Sequence, residues 1–166
     1  MGFRMRLFCL LLFLNPALLS AEVVKEYDEG GRLKFESNLK GGKLNGFARE
    51  YNNLGVLIWE GHYKDDELEG TAKGFYSSGK LQWVMRYKRD RLNGKAKGFY
   101  ESGPLWWEMS YREGKPHGRS RAYYEDGKLW KEMNFKDGKL DGIVLEFDGK
   151  NLKQKSLYRR GAKAGL

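Results

Sequence analysis

Three observations predict an all-β chain of tandem 24-residue β-hairpin repeats, laid out as an elongated, twisted antiparallel meander sheet. The first is glycine spacing: Gly46, Gly70, Gly94, Gly118 and Gly142 recur every 24 residues, and so do Gly31, Gly55, Gly79, Gly103 and Gly127. The second is alternation, as where Leu81, Trp83, Met85 and Tyr87 interleave with Gln82, Val84 and Arg86, the period of two that marks a strand. The third is that no segment holds helical periodicity over the length a helix needs. Composition agrees. With 22 Gly and 3 Pro but no three-residue period, the 166 residues are not collagen-like, and 14% aromatic content excludes a disordered basic tail.

The first 21 residues stand apart. Arg4 and Arg6 precede an apolar run from Leu7 to Leu14, Asn15 and Pro16 break it, and Leu19-Ser20-Ala21 offers a small residue before Glu22. This is the layout of a signal peptide cleaved after Ala21, with periplasmic or extracellular destination. The run is too short for a membrane-spanning helix, which needs about 20 residues. Cleavage would remove the single Cys and two Arg, leaving 29 Lys and Arg against 22 Asp and Glu. Disulfides and thiol chemistry would go with it. His62 and His117 have no partner at ligand spacing and read as surface residues.

The repeats then follow at about 23–46, 47–70, 71–94, 95–118, 119–142 and a shorter 143–165. Taking the first glycine series as position 24, position 5 is aromatic (Tyr27, Tyr51, Phe75, Phe99, Tyr123, Phe147). Position 11 is Leu33, Leu57, Leu81, Leu105, Leu129 and Leu152, and position 17 is Leu39, Tyr63, Tyr87, Tyr111, Phe135 and Tyr158. Stretches such as Ser77-Ser78-Gly79-Lys80 and Asp137-Gly138-Lys139-Leu140 close the hairpins, because glycine supplies the positive φ such loops require. Each repeat is thus two strands and two loops.

Compensating substitutions predict the strand register. Pairing position 13 with position 4 of the next repeat sets Trp59 against Gly74, Trp83 against Gly98 and Trp107 against Ala122; where position 13 becomes Lys131, its partner becomes Glu146. The same register opposes Glu36 to Arg49, Glu60 to Lys73 and Glu108 to Arg121, pairs that contribute roughly 0.2–1 kcal/mol each. Extended along the strands, it sets Met85 against Ala96 and Tyr63 against Gly70, and on the charged face Trp106 against Tyr123 and Trp130 against Phe147. A one-residue slip would break both patterns.

The segment Gly94-Lys95-Ala96-Lys97-Gly98-Phe99-Tyr100-Glu101-Ser102-Gly103, followed by Glu108 and Tyr111-Arg112-Glu113-Gly114-Lys115, resembles the MORN repeat, and more closely the bacterial MORN variant associated with antitoxins. The resemblance implies antiparallel hairpins in an elongated twisted sheet, and a scaffolding, membrane-contact or protein-pairing role. Phe35 and Ser37 in the first repeat and Gln154 in the last depart from the pattern, as capping repeats do.

Two surfaces are candidates for function. Trp106 and Trp130, with Tyr123 and Phe147, form a candidate partner-binding set, since Lys34, Ile58 and Gln82 show that position 12 need not be aromatic. Position 18 is basic in every repeat (Lys40, Lys64, Lys88, Arg112, Lys136, Arg159), a candidate row for an anionic lipid surface or polymer. Nucleic acid is a poor partner for an exported chain. The acids are explained by cross-strand pairing, no carboxylate pair stands out for acid and base roles, and the glycine-rich stretches close hairpins rather than open helices. The expectation is a non-enzymatic exported protein without cofactor or metal, acting as a scaffold for a protein or envelope component. Association with anionic membrane or polymer, and an antitoxin-like or immunity role, are the alternatives.

Overall fold

The computed structural model describes residues 21–165, so the expected leader at 1–21 lies outside the described residues except for Ala21. Sixteen strands and no helix occur among them: β1 Glu22–Tyr27, β2 Leu33–Lys40, β3 Lys43–Tyr51, β4 Leu57–Lys64, β5 Glu67–Leu68, β6 Gly70–Phe75, β7 Leu81–Lys88, β8 Arg91–Phe99, β9 Leu105–Arg112, β10 Lys115–Pro116, β11 Gly118–Tyr123, β12 Leu129–Lys136, β13 Lys139–Leu140, β14 Gly142–Asp148, β15 Asn151–Arg159 and β16 Ala162–Ala164. They form one antiparallel meander in sequence order, in which the two-residue strands β5, β10 and β13 each pair only with the strand before them. This is the all-β hairpin sheet that the glycine spacing and the alternation predict.

Two kinds of turn make the hairpins. At one margin, residues 19 and 20 of each repeat both have positive φ, as at Glu113 (49°) and Gly114 (78°) or Asp65 (51°) and Asp66 (71°), the conformation of a type I′ turn whose twist matches the strands it joins. Asp66 and Asp90 occupy a site where glycine is the easier residue. Each is held there by the preceding repeat: the Leu44 and Leu68 amides donate to the Asp66 and Asp90 Oδ1 atoms at 2.7 Å. The aspartate amides donate back to the Leu44 and Leu68 carbonyls at 3.0 and 3.1 Å. At the other margin, four-residue turns end on the second glycine series, Gly79 donating to the Tyr76 carbonyl and Gly103 to that of Tyr100.

The register matches the compensation pattern at the strand centres. Trp59 faces Gly74, Trp83 faces Gly98, Trp107 faces Ala122, Lys131 faces Glu146, and the three Glu to Lys or Arg pairs fall opposite one another. It does not continue to the strand ends. The pairing slips by two residues between Ser37 and Leu39, and again between Met85 and Tyr87. Tyr63 therefore pairs with Leu68, not with Gly70. Gly70 pairs instead with Tyr87 on the following strand. The cause is a bulge at the first glycine series, where Gly46 and Gly70 adopt φ of 118° and 93°, a backbone conformation that takes extra residues out of the ladder.

A one-layer sheet cannot enclose large side chains on all sides, and the fully covered residues are small: Ala48, Ala72, Ala96 and Ser120 run down the middle of one face. The rings of the flanking strands cover them. Trp83 and Trp107 lie over Gly74 and Gly98 on the strand before their own, where an added methyl group would overlap the indole. Trp59 has Glu50 at that place, and its ring lies instead along its own strand over Gly61, where a Cβ would stand 2.6 Å from it. That ring reaches Tyr63, with centroids 6.3 Å apart.

Candidate functional site

The face opposite the packed rings carries linked charges. Glu36 accepts from the Tyr51 hydroxyl at 2.7 Å and from Arg49 at 3.2 Å, Arg49 reaches on to Glu60 at 3.6 Å, and Glu60 pairs with Lys73 at 2.7 Å. A second run joins Glu108, Arg121, Glu132 and Arg119. Val84 takes the glutamate position between the two runs. The Tyr51 hydroxyl, and after it Arg49, hold the Glu36 carboxyl below the usual carboxylate range, although burial opposes them. Lys73 does the same for Glu60 and Arg119 for Glu132. Every such group is engaged in holding neighbouring strands together.

Trp106 and Trp130 emerge on this charged face with 44% and 42% of their surface exposed. Each ring packs against a tyrosine that the sequence did not single out. Trp106 stacks against Tyr100, with centroids 5.8 Å apart, and Trp130 against Tyr124 at 6.1 Å, both within their own repeat. The expected neighbour Tyr123 donates its hydroxyl to Glu108 at 3.2 Å. Phe147 contributes its carbonyl, which accepts the Tyr124 hydroxyl at 3.0 Å. The structure thus brings the two Trp to consecutive repeats of one margin, while Tyr123 and Phe147 are half-buried.

Tyr76, Tyr100 and Tyr124 were not singled out by sequence, although their 24-residue spacing was the signal available. Each donates its hydroxyl to the main-chain carbonyl of residue 5 in the next repeat, at Phe99, Tyr123 and Phe147. Beside them Ser78 donates to Glu101 and Ser102 to Glu125. These bonds join hairpin to hairpin along the margin that carries Trp106 and Trp130.

The position 18 row lies on the other margin. Lys40, Lys64, Lys88, Arg112, Lys136 and Arg159 are all exposed, and among the described residues none of the six takes part in an ion pair. Sequence reading missed the residues facing them across the turn. Lys40 pairs with Lys43, Lys88 with Arg91, Arg112 with Lys115 and Lys136 with Lys139, whereas Lys64 meets Glu67 and Arg159 meets Ala162. The row is therefore doubled over part of its length.

His62 is exposed opposite Phe47. His117 is half-buried, its Nδ1 3.4 Å from Asp137 and accepting that residue's amide at 3.5 Å. Among the described residues no three His, Cys, Asp or Glu side chains converge as metal ligands would.

With that geometry in place, residues 68–88 and 116–137 each match the model of the MORN repeat variant. MORN repeats are in general protein- or membrane-binding motifs. No curated protein matches the chain. Among solved structures, a mutant of S. aureus TarM in complex with fondaparinux, α-GlcNAc-glycerol and UDP is 13% identical over 76% of this chain and 22% of that one, with a TM-score of 0.40. Another TarM crystal structure is 15% identical over 74% and 22%, at 0.39. A GtfA/B complex bound to UDP and GlcNAc is 11% identical over 96% and 28%, at 0.30. The chain spans less than a third of each of those proteins.

Proposed function

We propose that this chain is an exported, non-enzymatic scaffold that binds a protein or another component of the cell envelope through its open sheet. The observation that carries the reading is the placement of Trp106 and Trp130. They stand in the same position of consecutive repeats, about 10 Å apart along the sheet at two strands per repeat, and each is braced by a tyrosine yet more than two-fifths exposed. Braced, half-open aromatics lose little conformational freedom on binding and bury a large area, which is the character of interface anchors. The match of two repeats to a family of binding motifs supports the same reading. Export rests on the Arg4 and Arg6 leader pattern.

The test is capture from a fractionated envelope extract by the native protein and by a Trp106→Ala, Trp130→Ala variant. A specific component retained by the first and lost by the second is the expected result. Equal recovery by both, with the variant's circular dichroism unchanged, refutes the aromatic surface.

A further inference from the structure

We propose that the margin formed by the last four type I′ turns binds a linear anionic polymer, with Lys88, Arg112, Lys136 and Arg159 as one rail and Arg91, Lys115 and Lys139 as the other. This goes beyond the aromatic reading, because it uses the opposite margin of the sheet and a different chemistry.

The first ground is that the arrangement works against stability. Three like-charged pairs stand directly across their strands, Lys88 with Arg91, Arg112 with Lys115 and Lys136 with Lys139, where opposite charges would stabilise and like charges destabilise. One such pair is unremarkable, but its return in three consecutive repeats lines one margin with facing cations.

The second ground is that the nearby acids are already occupied. Glu113 pairs with Arg91 at 3.5 Å and accepts from Asn93, Asp137 lies against His117, and Asp90 holds the Leu68 amide. They face the preceding hairpin. The position 18 cations form no ion pair among the described residues. Over the four turns nine cations (Lys88, Arg89, Arg91, Arg112, Lys115, Lys136, Lys139, Arg159, Arg160) meet three acids. The turn before them ends the track, since Lys64-Asp65-Asp66-Glu67 carries three acids against one Lys.

The third ground is spacing and shape. Successive turns lie about 10 Å apart, close to the Debye length at about 0.1 M salt, so adjacent cation pairs reinforce one another's field. Strands in a sheet rotate by about 20–25° from neighbour to neighbour, so over the six steps from β7 to β15 the margin turns through about 120–150°. A flat bilayer meets only part of such a margin. A flexible polyanion, carrying phosphate or carboxylate groups along its length, follows it from end to end.

The experiment measures binding of the full chain to dye-labelled inorganic polyphosphate by anisotropy across a salt series, beside sedimentation with phosphatidylglycerol vesicles at equal anionic charge. The Lys88→Gln, Arg112→Gln, Lys136→Gln variant is expected to bind at least tenfold more weakly, and its log K against log salt slope to shrink by about 2 to 3, near one unit per lost contact. Lys40→Gln with Lys64→Gln should change little. An equal loss in that control, an unchanged triple variant, or tighter capture by vesicles than by polyphosphate overturns the proposal. Trp106→Ala with Trp130→Ala should leave polyphosphate binding intact, which separates failure here from failure of the aromatic surface.

Discussion

Trp83 lies across Gly74, its cross-strand neighbour on β6, so closely that a methyl group added there would overlap the indole. The same relation joins Trp107 to Gly98. A single-layer sheet covers its backbone in this way, with a ring on one strand serving as the roof of the next.

Gly74→Ala should therefore destabilise the protein. Reduced freedom of the unfolded chain offsets about 0.4–1 kcal/mol, whereas displacing a packed ring costs about 1–3 kcal/mol, so the clash wins. Urea denaturation checks it, and pairing the change with Trp83→Leu should cost less than the two single changes added together.

Repeat 2 supplies a sharper case. Position 15 is Met85, Met109 and Met133 in the three repeats that follow, yet Gly61 here, because Trp59 is turned onto it by Glu50. Gly61→Met should be destabilising although it restores the common residue. Adding Glu50→Gly should recover part of the loss by letting the ring fall to the other side, and thermal unfolding of the three variants reads this directly.

The hydroxyl ladder should be worth a measurable amount between repeats. Tyr100→Phe removes the 2.8 Å bond to the Tyr123 carbonyl, and a net loss of about 0.5–1.5 kcal/mol is expected. In a repeat array the loss falls on one interface, so hydrogen exchange should quicken locally around β9 and β11 rather than throughout.

Acid should loosen the charged face. Glu36, Glu60 and Glu132 titrate below their ordinary range, held there by Tyr51, Lys73 and Arg119 respectively. A carboxylate depressed on folding binds fewer protons in the folded state, so its contribution is complete above the ordinary glutamate range and is lost as pH falls through the native value. Denaturation midpoints should hold above the ordinary glutamate range and drop as pH falls through and below it. Tyr51→Phe removes the largest cause at Glu36, and part of that acid dependence should vanish with it.

Much of this was legible in advance because neighbouring repeats vary together. Lys131 with Glu146 betrays the central register, since a swap from ring to charge on the ring face makes sense only with its partner, and on the other face the opposite charges of Glu60 and Lys73 fit the same register. The two-residue slip was not legible. Gly46 and Gly70 read simply as turn residues, and nothing local says that a positive φ there removes residues from the ladder and sends Tyr63 to Leu68. Nor could spacing say that the Trp106 ring would pack against Tyr100 of its own repeat.

From the sequence alone came the hairpin, its 24-residue period and the alternation that makes two faces, because each is a property of one repeat's backbone preferences and side-chain order. Only the tertiary structure decided the lateral choices. Trp83 has a glycine on both flanks and rests on Gly74, and Lys88, Arg112 and Lys136 face further cations across their turns. Those outcomes depend on bulges and ring orientation in adjoining strands, which exist only once the strands are side by side.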